Sequence, residues 1–297
     1  MMRGNSNSHI ALLVLSMAVL IPQYILATGW RSAYLPGSAL ALSLAEGGTA
    51  LSHQVELASV NPVHVWGETV ESINYSHLQM FGDLSSHNLR WHGNYRNQPT
   101  QFELRSVAEV GLELRGSTPT SEPLGEFSAR YLSASIFRGA QLRHFKLGLG
   151  VTYAYQRIYE YAASSLTIAF GASGNIANWL RWGAALQGLG TAQKLHVEKA
   201  ELPLRISLGL ASKLPWEGGL LAVDAIFEPV TNWRPSISYY HSTGFYSIAA
   251  GVRIFEDEPM FTGGAELRHG KWSLAYAIGF QTVALGQPQM FSFRRKF

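Results

Sequence analysis

The chain has 297 residues, 14% of them charged and 47% hydrophobic, with 29 glycines, 8 Trp, 13 Tyr, 14 Phe and a formal net charge of +3. Such a composition excludes a disordered chain, which needs high charge and few aromatics, and the scattered Lys and Arg form no run that would bind nucleic acid. The absence of cysteine excludes disulfides and thiolate metal sites.

Arg3 precedes an almost unbroken apolar run over residues 10–21, and Pro22, Ile25 and Ala27 then follow in the manner of a cleavage site. The run is shorter than the ~20 residues a spanning helix needs. Residues 1–27 therefore read as a cleaved secretory signal peptide, with a membrane anchor as the alternative. No later stretch is apolar enough for a transmembrane helix. An exported chain of this kind is periplasmic, secreted or an outer-membrane barrel.

Residues 28–65 come next, and within them 39–65 (ALALSLAEGGTALSHQVELASVNPVHV) differ from everything that follows. The stretch is small and aliphatic, breaks at Gly47-Gly48 and stops at Asn61-Pro62. Proline lacks an N–H and biases its predecessor away from helix, so Asn61-Pro62 reads as a turn into the first strand.

From residue 66 to 297 almost every segment has the two-residue rhythm of a β-strand. Segments 70–76 and 87–94 come first, then 102–114 with blurred alternation. Residues 116–125 (GSTPTSEPLG) are the plainest loop. Segment 127–137 follows, with a phase slip near Leu132-Ser133 that predicts a bulge. From Phe145 the pattern is strict: Leu147, Leu149, Val151 and Tyr153 alternate with Lys146, Gly148, Gly150 and Thr152. Strands of the same kind lie near 165–171, 180–187, 204–211, 221–228, 233–241, 245–254, 261–268, 272–280 and 290–297, about fourteen in all.

Periodicity alone does not separate a soluble sandwich from a membrane barrel. The residue classes do. One face of nearly every strand is large and apolar, with aromatics toward the ends, whereas the other is Gly, Ala, Ser and Thr with an occasional charge. A sandwich buries its large residues and exposes Lys and Glu. A membrane barrel turns large residues to lipid and keeps a small or polar lumen. The reading is an all-β fold: a transmembrane antiparallel β-barrel of about fourteen strands over 66–297, with 28–65 as an N-terminal plug. In the last strand Phe291, Phe293 and Phe297 share a face with Arg295, the aromatic ending that barrel-assembly machinery accepts.

Small inward residues cannot fill so wide a lumen, because eight strands are roughly the number whose interior side chains can fill. The lumen is open, or the 39–65 stretch occupies it. The charges expected on the lumen face are Lys146, Arg181, Arg205, Asp224, Glu228, Arg253, Glu266, Arg268 and Arg294. They either solvate one another in a wet interior or hold the N-terminal stretch in place.

No catalytic or metal motif appears. The histidines have no H-x-H or H-E-x-x-H spacing, and there is no G-x-S-x-G or G-x-x-x-x-G-K loop. His87 and His92, five apart, fall on opposite strand faces and read as surface or loop residues. Ser76-His77 would point apart on a strand and cannot by themselves form a hydrolase pair. No enzyme activity and no cofactor are expected.

Leu35-Pro36, Ala45-Glu46-Gly47-Gly48 and Asn61-Pro62-Val63 together resemble the N-terminal signature of the PorV/PorQ family of outer-membrane proteins, relatives of the FadL barrels, and the later segments 125–129, 202–214 and 275–297 look like PorQ-type strands. The resemblance implies fourteen strands and a role in type IX protein secretion and surface attachment, with other secretion subunits as partners beside outer-membrane lipid. The alternative is a FadL-like channel for a hydrophobic small molecule, passing a mobile N-terminal plug. A barrel hydrolase is the third reading.

Overall fold

The structure, a computed structural model, describes residues 31–297 except 52–53, 81–82, 116–120, 143–144, 196–197, 200–201, 203, 230–231, 256–257 and 282–285. The expected signal peptide lies outside the described residues.

Alternating sequence produces long antiparallel strands. They are β1 (Ser72–Gln79), β2 (Ser85–Tyr95), β3 (Gln98–Leu114), β4 (Gly125–Leu142), β5 (Phe145–Ile158), β6 (Tyr161–Asn175) and β7 (Leu180–Ala192). A small hairpin, β8 (Lys194–Leu195) with β9 (Glu198–Lys199), interrupts the series. The series resumes with β10 (Arg205–Lys213), β11 (Gly219–Glu228), β12 (Asn232–Ser242), β13 (Tyr246–Phe255), β14 (Glu258–His269), β15 (Trp272–Gln281) and β16 (Gln289–Lys296). Leaving out β8 and β9, the fourteen remaining strands close into one barrel, because β1 pairs with β16 as well as with β2. Closure removes every unpaired edge, as a strand wall in lipid requires.

The period of two sorts the side chains as expected. Leu149 and Tyr153 point outward, 44% and 54% exposed, while Ala154 between Tyr153 and Tyr155 is buried inside. Phe291, Phe293 and Phe297 also lie on the outer face. Trp272 stacks on Phe293 and carries the Arg295 guanidinium 4.9 Å from its ring centre. Aromatics of this kind suit the membrane–water boundary.

Four expectations differ from the structure. No register shift occurs at Leu132-Ser133; the shift in that ladder falls on β3 between Glu109 and Leu112, where Gly111 has φ of +70°. The apparent slip arises because Tyr131 and Phe137 are large but face inward, Phe137 packing on Ala58 and Val65. The first strand starts at Ser72 rather than near 66 or 70. Asn61 does not turn the chain into it directly: its side chain accepts the Val63 N–H and caps a 3-10 turn over Pro62–Trp66. Finally, His92 is a buried inner-wall residue bonded to the Glu68 carbonyl at 3.0 Å, whereas His87 is on the outer face.

The two ends of the barrel differ. Phe297 donates its N–H to the Glu71 carbonyl, so the chain enters and leaves the wall at one end. Connections at that end are short, such as 96–97 and 270–271, whereas the far end carries 115–124 and 193–204.

Candidate functional site

Residues 31–51 and 54–67 run along the inner wall, and the wall is smallest where they touch it. A Cβ at Gly148 would overlap the Pro62 carbonyl carbon, one at Gly171 the Asn61 amide oxygen, and one at Gly183 the Thr49 carbonyl. These glycines are needed for close approach of two backbones. Across the lumen, Ala41, Leu44, Ala50, Leu51, Leu57 and Val60 pack with wall residues such as Ala211, Ala222 and Tyr240.

Polar anchors fix the register of this segment. Ser38 caps the helical turn Ala39–Ser43, and the Ala39 N–H donates to Ser292 Oγ at 2.9 Å. Thr262 Oγ1 donates to the Ser43 carbonyl at 2.8 Å. Asp224 accepts two backbone N–H groups, from Gly48 at 2.8 Å and Thr49 at 2.9 Å. Asn61 Nδ2 donates to the Thr49 carbonyl at 2.9 Å and ties the segment to itself. Gln187 donates to the Ser59 carbonyl at 2.8 Å and Trp66 Nε1 to the Leu147 carbonyl at 3.0 Å. Each anchor satisfies a buried backbone group that would otherwise cost free energy.

Two clusters join segment carboxylates to wall arginines. Glu46 pairs with Arg205 and, at 2.8 Å, with Arg253; Glu228 pairs with Arg205 at 3.2 Å and Arg234 at 2.6 Å. Burial alone would raise the Glu46 pKa, but Arg253, Arg205 and Arg234 outweigh it and hold the group down at about 2. Ala45 and Glu46, rather than the glycines alone, make the bend: their φ values are +51° and +62°, joined by Gly48 at +92°. Non-glycine residues adopt that region seldom, and only when surroundings hold them there.

In the second cluster Arg294 meets Glu266 at 2.7 Å, Glu68 at 3.1 Å and Glu56 at 3.7 Å, with Arg268 on Glu266 and Lys296 on Glu68. Burial raises the Glu56 pKa, Glu266 and Glu68 add to the rise, and Arg294 and Arg90 oppose it. A third group lies on β2 and β3. Glu103 bridges Arg90 and Arg105, each at 2.9 Å, while Arg90 donates to the Gly37 carbonyl and Arg105 to the Ala33 and Leu35 carbonyls.

All nine lumen charges expected from sequence face inward, and they separate into sets. Arg205, Glu228 and Arg253 share one cluster; Glu266, Arg268 and Arg294 share another. Asp224 binds the Gly48–Thr49 backbone and has no ion-pair partner among the described residues. Lys146 lies 5.5 Å over the Trp66 ring, and Arg181 shares a small cavity with His64 and Trp66. Of the motif residues, Gly47, Gly48, Asn61 and Pro62 are buried, while Leu35 and Pro36 are half-buried. Sequence reasoning missed Arg90, Glu103, Arg105 and Arg234, and the partner acids Glu46 and Glu56. The alternation itself held the signal, since Arg90 lies between outward Leu89 and Trp91, and Glu103 between Phe102 and Leu104.

His64 is buried, with Nε2 3.1 Å from the Gly48 carbonyl. Burial pulls its pKa down to about 4; the Gly48 carbonyl opposes this and Arg181 adds to it. The imidazole is therefore neutral near pH 7 and leaves the site without a third charge beside Lys146 and Arg181.

Space remains on both sides of the segment. A cavity of about 70 Å³ lies between Ala33, Tyr34 and Ser59 and a wall of hydroxyls and aromatics, including Ser133, Thr167, Tyr131 and Phe137. Beside it, Ala33 and Leu35 meet an apolar group formed by Val107, Tyr131, Ala154 and Ala163 with Leu84, Leu195 and Leu202 from the long-loop end. At the end holding the chain terminus is a basin of about 740 Å³, bordered by Gln54, Trp216, Tyr240, Arg268, Arg294 and Lys296. Among the described residues no group of three or more His, Asp or Glu could hold a metal ion.

No family model and no curated protein matches the chain. Solved structures do match in fold. The toluene transporter TodX of Pseudomonas putida superposes with a TM-score of 0.67 at 11% identity, covering 89% of this chain and 99% of that one. The toluene transporter TbuX of Ralstonia pickettii gives 0.62 at 11% identity over 89% and 99%. A Pseudomonas aeruginosa FadL homologue gives 0.57 at 12% identity over 88% and 98%. At such identities the likeness is one of fold: a closed fourteen-stranded barrel of FadL type. Nothing among these matches supports the PorV/PorQ resemblance or the secretion role drawn from it.

Proposed function

We propose that the chain is an outer-membrane channel of FadL type, non-enzymatic, which passes a small hydrophobic molecule past a plug made of its own residues 38–67. One observation carries the reading. A single segment separates the cavity near the long-loop end from the basin near the chain terminus, and it is held by side chains rather than by strand pairing. Such a segment can leave without breaking the barrel wall. The apolar group around Val107 and Tyr131 gives a hydrophobic molecule a first resting place. TodX and TbuX are toluene transporters, and toluene therefore sets the probe.

The test uses the lack of native cysteine. A Cβ at Gly209 would lie 3.0 Å from Thr49 Cβ, close to the spacing a disulfide spans after a small shift, and it would push aside the Asp224 carboxylate, so the oxidised and reduced states of the same double variant are compared with each other. Thr49→Cys with Gly209→Cys should lock the plug. Uptake of radiolabelled toluene by intact cells should fall when the pair is oxidised and recover on reduction, while deletion of 38–59 should raise conductance in planar bilayers. Uptake indifferent to the lock would reject the reading.

A further inference from the structure

Two arginines stand side by side on the outer face. Arg130 on β4 and Arg157 on β5 are direct cross-strand partners, and both point outward and are exposed. Their neighbours in the same row are Ala108 on β3 and Ala162 on β6, so no bulky side chain covers them. The next outward row toward the middle of the wall is Leu132 beside Tyr155, 51% and 38% exposed. The pair thus stands at the upper margin of the apolar band.

Like charges directly opposite each other on a sheet are destabilising. Among the described residues no acidic side chain relieves this pair; Arg157 Nε donates to the Tyr159 carbonyl at 3.1 Å and its terminal nitrogens stay available. Other outward arginines are differently placed. Arg115 pairs with Glu113 at 2.7 Å, Arg295 lies over the rings of Trp272 and Phe297, and Arg138 has Thr100 and Leu149 beside it rather than a second cation.

We infer that Arg130 and Arg157 form a site for the phosphate of a lipid headgroup in the outer leaflet. This rests on the outer-membrane reading above. The pair lies at the end carrying the longer connections, 115–124 and 193–204, and outer-membrane barrels direct their longer loops outward. Two guanidinium forks supply the planar, paired donors that match phosphate oxygens. Tyr159 and Tyr161, each 40% exposed, stand at the adjoining hairpin, where aromatic rings settle at headgroup depth. The flanking alanines leave room for the sugar or glycerol that carries the phosphate.

The test is native mass spectrometry of the full-length folded protein in mild detergent. It is titrated with bisphosphorylated lipid A, with the same lipid enzymatically dephosphorylated, and with inorganic phosphate as competitor. The phosphorylated lipid should be retained, and Arg130→Gln with Arg157→Gln should weaken retention about tenfold or more. Arg130→Lys with Arg157→Lys should keep most of it, and Arg138→Gln should change nothing. Equal retention of the dephosphorylated lipid, or an unaffected Gln double variant, would overturn the site. Competition by sub-millimolar inorganic phosphate would make it a free-anion site and overturn the lipid assignment. If the Gln double variant loses heat-modifiable migration, the single variants carry the same comparison. Toluene uptake should be normal in all of them, so failure of the channel reading appears separately.

Discussion

The Asp224 carboxylate on β11 accepts the Thr49 backbone N–H at 2.9 Å, and its other oxygen accepts the neighbouring Gly48 N–H at 2.8 Å. One wall side chain thus closes a bend of the inner segment in the way an anion closes a nest of N–H groups. A Cβ at Gly47 would fall 2.9 Å from this carboxylate, so the bend and its acceptor fit only with a small residue there.

Asp224→Asn keeps the shape but leaves a single acceptor and turns an amide N–H toward a backbone N–H. Hydrogen bonds to charged groups contribute roughly 1.5–3 kcal/mol each, so docking should weaken by about 2–3 kcal/mol. Limited proteolysis of the folded barrel should release the segment faster than in the parent. Equal rates would show that Asp224 does not hold it.

Close backbone approach gives a second test. Gly171→Ala puts a methyl into the Asn61 amide and Gly148→Ala puts one into the Pro62 carbonyl, while a methyl at Gly244 meets nothing within 4 Å. The first two should displace the Pro62–Trp66 turn and raise conductance, and Gly244→Ala should leave it unchanged. Three identical conductances would count against this close packing.

For the outer face, Leu149→Arg should cost about 2–4 kcal/mol, the usual burden of a cation at mid-membrane on a barrel's lipid side. Thr152 faces inward, donating to Ser135 at 2.8 Å beside the cavity, so Thr152→Arg should cost less. Urea unfolding in lipid vesicles ranks the two, and the reverse order would mean that the faces are inverted.

Protonation provides a fourth test. The docked His64 pKa, about 4, lies below its ordinary 6.5, so the released segment binds the proton more readily. Docking is therefore fully supported above pH 6.5 and loses about 3 kcal/mol as pH falls toward 4. Glu56, with a raised pKa, acts in the opposite sense, and Glu46 weakens docking only between its ordinary 4.5 and about 2. Conductance should rise between pH 6.5 and 4 and much less so in His64→Gln. A parent channel flat across that window would exclude His64 as the responsive group.

Strand number, closure and the outward apolar face were legible because a period of two leaves no choice of face once one face must meet lipid. Misreadings came where a large side chain faces the lumen, as at Tyr131 and Phe137, whose size mimicked a phase slip. His92 was misassigned because its polarity suggested the surface, yet a polar lumen buries such groups. The segment's acids were not legible as partners. Which wall arginine meets Glu46 depends on where Gly48 and Thr49 dock on Asp224, and only the three-dimensional register decides it. The PorV/PorQ resemblance rested on short degenerate stretches and found no match, whereas the FadL-type fold emerged from strand geometry.

The ion pairs across the lumen have an electrical consequence. Around Arg205, Arg234 and Arg253 the wall itself contributes Glu228, and around Arg268 and Arg294 it contributes Glu266; Glu46, Glu56 and Glu68 all arrive with the segment or its exit. Lys146 and Arg181 add positive charge near the Pro62–Trp66 turn. Withdrawing the segment therefore leaves a wall with surplus cations, and rings of Arg and Lys make a pore prefer anions. In a salt gradient the reversal potential of the emptied barrel should carry the sign of chloride permeation.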